Sequence, residues 1–389
     1  MSVLQAHQHF LLPAAAPICY TLGRIGGALW LAPRWGIFGL AWGGLAGTVG
    51  HFLIQVPGLI YYRARWWPRL RHPELQSVLA LMGPRVLGLG ATYLNFVLPT
   101  FLGSHLPAGA ISAYEYSWRL MQFPETIIGT ALGLAVFPTL AEQANAGNRE
   151  GLRRTVSWAL RLVLALAVPA AVGLLALGHP LITLFFQRGA FDATIADRVY
   201  GALRFFALGL VAHSMLEVVS RLFYAQRDMW APFWAALGGV LFNAGLGWSL
   251  LSSLGAGSIA LSNSLGVGLQ VGILLIVARR RMGGGEGVGQ PCCKQSGLHS
   301  LPFTAEGEEW LIGASLVRTV IASALMGAAV MGFRIVAGQV WAPALPGRYG
   351  TLLYCAGGMT VGTGVYVLSA LLLGSEEIRQ LPRLLLGRG

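Results

Sequence analysis

Apolar residues in this chain run in long blocks broken by short polar punctuation, with no sustained two-residue alternation. Each block spans about 20 residues or more, enough for a helix to cross a hydrocarbon core of about 30 Å. The pattern predicts ten helices, over residues 10–32, 36–60, 78–102, 109–140, 154–186, 196–224, 231–254, 256–279, 311–338 and 350–373. A transmembrane β-barrel would show short alternating segments instead. The expected fold class is therefore an all-α polytopic membrane protein. Connections are short, except for the glycine-rich stretch 282–310, which reads as a cytoplasmic linker.

Composition agrees. The chain is 55% hydrophobic and only 11% charged, with a mean hydropathy of +0.63, against roughly 25% charge in soluble domains. A net charge of +12 would suit a nucleic-acid partner, but the basic residues sit in short loops and form no binding stripe. Fifteen Lys and Arg fall in one set of loops and ends, including Arg63, Arg149, Arg227, Arg281 and Arg383. The alternate set holds only four: Arg34, Arg188, Arg198 and Arg348. That asymmetry places both termini in the cytoplasm, as an even number of crossings also requires. Trp66, Trp67, Trp230 and Trp341 lie at predicted helix ends, as an interfacial belt would have them. Six prolines (Pro17, Pro84, Pro99, Pro124, Pro138, Pro169) fall inside the helices, where they mark kinks or bends.

Catalysis finds little support. Only Glu115, Glu125 and Glu217 lie within helices away from their ends. No DxD, DDxxD or HExxH pattern occurs, and the eight histidines are scattered, mostly near helix ends. Cys19, Cys355 and the adjacent Cys292 and Cys293 lack CxxC or zinc spacing. No enzyme activity, metal or cofactor is expected, and MSVLQAHQHF does not read as a cleavable signal peptide.

Charge inside the helices is more informative. An ionisable group at mid-helix costs about 2.5–3.5 kcal/mol on insertion scales, so it needs a partner or a watery cavity. Arg24, Arg119, Arg204, Glu217, Arg221 and Arg334 are the positions concerned. Arg119 lies about nine residues, hence roughly 14 Å, from the outer end of its helix, too deep for its stem to reach the surface. Arg334 sits near an outer end, where it would snorkel to the interface. Two readings of Arg119 stand side by side. It forms a local i,i+4 pair with Glu115, a spacing repeated by Glu217 and Arg221. Alternatively it faces a polar cavity, where its guanidinium would bind phosphate oxygens. The candidate substrate-binding residues are Arg119, Glu115, Arg24, Glu217 and Arg221. In the outer loop, Asp192, Asp197 and Arg188 read either as an ion site or as simple solvation.

Four segments, in order, resemble the MurJ (MviN) lipid II flippase family. They are LQAHQHFLLPAAAPICYTLG (4–23), EYSWRLMQFPETIIGTALGLAVFPTLAEQANAGN (115–148), LFFQRGAFDATIAD (184–197) and SRLFYAQRDMWAP (220–232). The second carries an Arg-Leu-x-x-x-Pro core and a later Pro-x-Leu exit. The third and fourth carry Phe-x-x-Gly-x-Phe and Phe-Tyr-Ala-x-x-Asp. The resemblance implies two six-helix bundles and two further helices, as in the multidrug/oligosaccharidyl-lipid/polysaccharide exporter superfamily. It implies a protein that moves undecaprenyl-diphosphate-linked peptidoglycan precursor across the cytoplasmic (inner) membrane by alternating access. A cationic cavity would lie between the bundles, and a lipid-tail groove beside the last two helices. Arg119 takes the place of the family's cavity arginine, and Trp118 stands where the family commonly has a polar residue.

The resemblance also implies a division into a two-helix remnant of the first bundle (1–77), a complete second bundle (78–281), the linker, the last two helices (311–373) and a cytoplasmic tail (374–389). About four helices expected before the first motif have no counterpart. Partners implied are the lipid-linked substrate, membrane lipid, and either cell-wall synthesis enzymes or a chain supplying those helices. Other readings are an exporter of another lipid-linked glycan, or a non-transporting membrane scaffold.

Overall fold

A computed structural model describes residues 11–61, 86, 90, 93–189, 191–283, 312–340 and 348–375. Most of the predicted linker, most of the tail, the front of the third helix, and Trp66, Trp67 and Trp341 lie outside the described residues. Helix forms in all ten predicted blocks. Eight helical stretches among the described residues are long and apolar enough to span a membrane. The chain divides into two compact units, Met1–Val78 and Leu79–Gly389.

In the first unit, α1 (Leu11–Gly26) runs into a π turn at Gly27–Leu31 and packs against α2 (Ile37–Leu53). Glycine makes that packing possible. Gly39, Gly43 and Gly47 recur every fourth residue and form the buried stripe of α2. Lipid tails are as apolar as leucine, so membrane helices associate through close contact of small residues rather than through a hydrophobic driving force. The contact here is backbone on backbone: a Cβ at Gly43 would lie 2.4 Å from the Gly27 Cα, and one at Gly23 2.3 Å from the Gly47 Cα.

The second unit is a bundle around one enclosed helix. Its elements are α3 (Tyr93–Gly103), α4 (Ala110–Glu125), α5 (Ala131–Asn145), α6 (Arg149–Phe186), α7 (Ala193–Ala225), α8 (Trp230–Leu254), α9 (Ala256–Gly283), α10 (Ile312–Val340) and α11 (Arg348–Leu372). A π turn at Thr126–Thr130 joins α4 to α5, with Ala131 N–H bonded to the Thr126 carbonyl. It comes just after Pro124, which has no N–H to give the preceding turn.

Helix α7 touches α4, α5, α6 and α9, and its Leu203, Phe206, Leu210, Val219, Leu222 and Phe223 are at most 1% exposed. At 38 residues, α6 is about 57 Å long by its rise, longer than the hydrocarbon core. Its surplus is the arginine-bearing first turns, where Arg154 pairs with Glu150 at 2.9 Å. The last two helices dock on α6: the Tyr366 hydroxyl donates to the Ala165 carbonyl, and Arg334 Nη1 to the Ala176 carbonyl at 2.7 Å. Arg334, expected near an outer end, is half-buried with its Nη1 on this neighbouring helix.

Adding a methyl group at Gly43 should cost the first unit about 1–3 kcal/mol through overpacking. The same change at Gly44, whose Cβ would meet no atom within 4 Å, should be neutral or stabilising, since alanine is the better helix former. Thermal unfolding of Gly43→Ala and Gly44→Ala in detergent separates the two.

Candidate functional site: a polar stripe and a half-buried ion pair

Around α4 the side chains sort into three sectors. Ala113, Tyr114, Ser117 and Met121 are buried, and the Ser117 hydroxyl donates to the Val199 carbonyl of α7 at 2.8 Å. Phe123 and Ile127 form an exposed apolar edge. Between these, Ser112, Glu115, Arg119, Gln122 and Thr126 recur at three- and four-residue spacing, all exposed and all polar. A membrane helix with a continuous polar stripe needs water or a polar ligand beside it.

Arg119 and Glu115 meet at 3.7 Å, with side chains 68% and 50% exposed. That separation exceeds a hydrogen bond. The pair therefore balances charge while leaving the five guanidinium N–H donors for another acceptor. The i,i+4 pair with Glu115 forms, and it is loose enough to leave the Arg119 guanidinium exposed.

Glu217 and Arg221 behave differently. Arg221 Nη1 donates to the Glu217 carboxylate at 2.5 Å and to the Glu217 carbonyl at 2.6 Å. Arg221 is 14% exposed and Glu217 37%. Beside them stands Glu125 at the end of α4, held by the Thr126 and Thr130 hydroxyls and within electrostatic reach of both Glu217 and Arg221. Two glycines admit this cluster. A Cβ at Gly133 would lie 2.4 Å from Arg221 Nη1, and one at Gly129 2.8 Å from the Ser214 Cα and 3.2 Å from Glu125 Oε1. Arg221 is thus paired with Glu217, with Glu125 within electrostatic reach, where α4–α5 crosses α7. Glu125 was visible in the sequence as a mid-helix carboxylate, but nothing in its spacing linked it to a pair ninety residues away.

A second polar contact escaped the sequence reading. His213 Nε2 lies 3.2 Å from the Asn263 side-chain oxygen of α9, and the Trp118 ring meets the His213 ring edge-on at 5.2 Å. The histidines are therefore not all end residues. Trp118 covers a buried polar contact.

The remaining candidates belong to neither group. Arg24 lies on α1 in the first unit, exposed, over the Tyr20 ring at 5.7 Å. Arg204 is exposed on α7, near the Tyr200 and Phe205 rings. Asp192 caps α7 by accepting from Ile195 N–H at 2.9 Å and the Thr194 hydroxyl at 2.7 Å, and Asp197 meets His179 at 3.1 Å. These contacts show the Asp192 and Asp197 carboxylates engaged in the fold. The Ile195 N–H, followed by the Thr194 hydroxyl, lowers the Asp192 carboxyl below its ordinary value.

The fold and its membrane-embedded charges define a polytopic helical membrane protein with a polar, cation-bearing face. The family model for "Lipid II flippase MurJ" matches residues 1–346, and the chain belongs to that family. It is 30% identical over 289 residues to the lipid II flippase MurJ of Burkholderia cenocepacia, covering 72% of this chain and 56% of that protein. A probable lipid II flippase MurJ from Haemophilus influenzae is 30% identical, over 64% of this chain and 51% of its own length. One from Rhizobium tropici is 27% identical over 98% of this chain and 68% of its own. The chain thus spans about half the length of the first two relatives. A solved structure, "Lipid II flippase MurJ, inward closed conformation", superposes with a TM-score of 0.72 at 20% identity, over 98% of this chain and 70% of that one, and shares the fold.

Removing the cation alone should be worse than removing the whole Glu217–Arg221 pair. Arg221→Gln leaves two carboxylates together and should cost roughly 1–3 kcal/mol. Glu217→Gln/Arg221→Gln should cost clearly less than the two single changes added. Denaturation midpoints of the three variants test this.

At the basic end of the bundle, Asp228 gives a pH prediction. Partial desolvation would raise its carboxyl. The Ala231 N–H, Arg281 and the Trp230 N–H outweigh that and hold it below its ordinary value. A folded-state value below the unfolded one contributes stability above the unfolded value and loses it as pH falls through the folded one. The parent should therefore lose its advantage over Asp228→Asn below about pH 4, as measured by unfolding in a pH series.

Proposed function

We propose that this chain serves the movement of lipid II, the polyprenyl-diphosphate-linked peptidoglycan precursor, across the cytoplasmic membrane. Arg119 holds the diphosphate. The observation that carries this reading is the loose Glu115–Arg119 contact, 3.7 Å apart on a wholly polar stripe of a membrane span. A diphosphate presents charged oxygens that a guanidinium engages through several charge-assisted hydrogen bonds. Glu115 keeps the empty site near neutrality and is displaced when the anion arrives. Glu217, Arg221 and Glu125 act as a structural brace beneath it rather than as ligands, because Arg221 is consumed by Glu217.

The grouping of Arg149, Arg227 and Arg281 around one groove at one end of the bundle supports a cytoplasmic position for that end. Helices α10 and α11, docked along α6, are suited to carry the lipid tail beside the bundle, and rocking of helical units gives alternating access.

Reconstituting the chain in vesicles with fluorescently labelled lipid II and following leaflet exchange tests the proposal. Arg119→Ala should slow exchange by at least about tenfold, as expected for losing charge-assisted bonds to a phosphate. Arg119→Lys should retain part of the rate, and Glu115→Gln most of it. Exchange by Arg119→Ala at the parent rate would remove Arg119 from the site.

A further inference from the structure

At the basic end of the second bundle the ends of α5, α6, α7 and α9 enclose a groove of about 580 Å³. Arg149, Arg227 and Arg281 line it, together with Asn145 and Gln226, and no carboxylate is among its lining residues. Arg281 is already answered, since its Nη1 donates to Asp228 at 2.5 Å. Arg149 and Arg227 have no acidic partner among the described residues.

Both of these arginines occupy positions that local physics disfavours. Arg227 comes after the end of α7 with φ +57°, and is the one non-glycine residue with positive φ among the described residues. Its N–H bonds to the Tyr224 carbonyl and that of Asp228 to the Phe223 carbonyl, closing the helix in the manner that usually places glycine at this position. Elsewhere the chain obeys that preference: Gly147 comes after α5 with φ +67°, and Gly374 after α11 with φ +74°. Arg149 begins α6, where the positive end of the helix dipole repels a cation. Two independent local costs therefore converge on one groove, and they deliver uncompensated positive charge there. Strain of this kind persists where the placed side chain has a use.

We infer that the groove is a binding site for a phosphate group. Arg227 and Arg149 are its principal ligands. It lies at the bundle end that the arginine asymmetry assigns to the cytoplasm. Two sources carry this chemistry there, the headgroup of an anionic phospholipid and free phosphate. The site is separate from Arg119, which sits on α4 before the π turn, whereas the groove opens beyond the far end of α5.

Arg227→Gly is the informative variant. It supplies the residue that the backbone prefers and removes the guanidinium. The full chain is purified in zwitterionic detergent and titrated calorimetrically with dihexanoyl phosphatidylglycerol, inorganic phosphate and, as a neutral control, dihexanoyl phosphatidylcholine. The parent should bind at least one of the two anions saturably and not bind phosphatidylcholine. Arg227→Gly and Arg149→Gln should each weaken that binding about tenfold, the scale of one lost charge-assisted contact. The unliganded melting temperature of Arg227→Gly should stay equal to the parent's or rise. Comparable binding of both anions assigns recognition to the phosphate alone, and preference for phosphatidylglycerol assigns it to the lipid. Absence of saturable anion binding by the parent, or equal binding by both variants, overturns the inference.

Discussion

The second unit depends on how closely α4 and α5 can lie against α7. Gly129 and Gly133 set that distance, since a side chain at either would strike Ser214 or Arg221. Close approach is what brings Glu125 up to the Glu217–Arg221 pair. Arg221, a cation that would be costly in hydrocarbon, is neutralised by Glu217 on its own helix. With α7 held from this side by an ion cluster and from the others by Phe206, Leu210 and Phe223, the outer face of α4 is relieved of packing duties. Its polar stripe can remain open.

Arg119 and Arg221 show that the same residue type at the same spacing from a glutamate can do opposite things. Arg221 is wedged against a glycine and bonded to both the carboxylate and the carbonyl of Glu217. Arg119 keeps a partner at 3.7 Å and stays open. The difference is burial: one guanidinium is spent within the fold and the other stays exposed.

Much of the architecture was legible beforehand. Long apolar blocks give helices in the right places, because a membrane demands that backbone groups be satisfied within each span. The Glu115–Arg119 and Glu217–Arg221 spacings could likewise be read directly. What could not be read was rotation. Helix α7 is apolar on nearly every side, so its sequence carries no phase telling which residues face α4 and which face α9. The meeting of Glu125 with Glu217, the His213–Asn263 contact and the capture of Arg334 by an α6 carbonyl all depend on that phase. Asp192 was ambiguous for another reason: a helix cap and an ion ligand draw on the same oxygen atoms, and only the position of the Ile195 and Thr194 donors separates them.

The π turn at Thr126–Thr130 has a geometric consequence for the whole span. A π turn takes in roughly one residue more than an α turn, which advances the angular register of the residues after it by about 100°. The segment from Ala110 to Asn145 therefore behaves as two screws of different phase mounted on one axis. The first presents Glu115 and Arg119 outward, while the second presents Gly133 to the neighbouring helix. One π turn thus aims the arginine face and the glycine face in different directions.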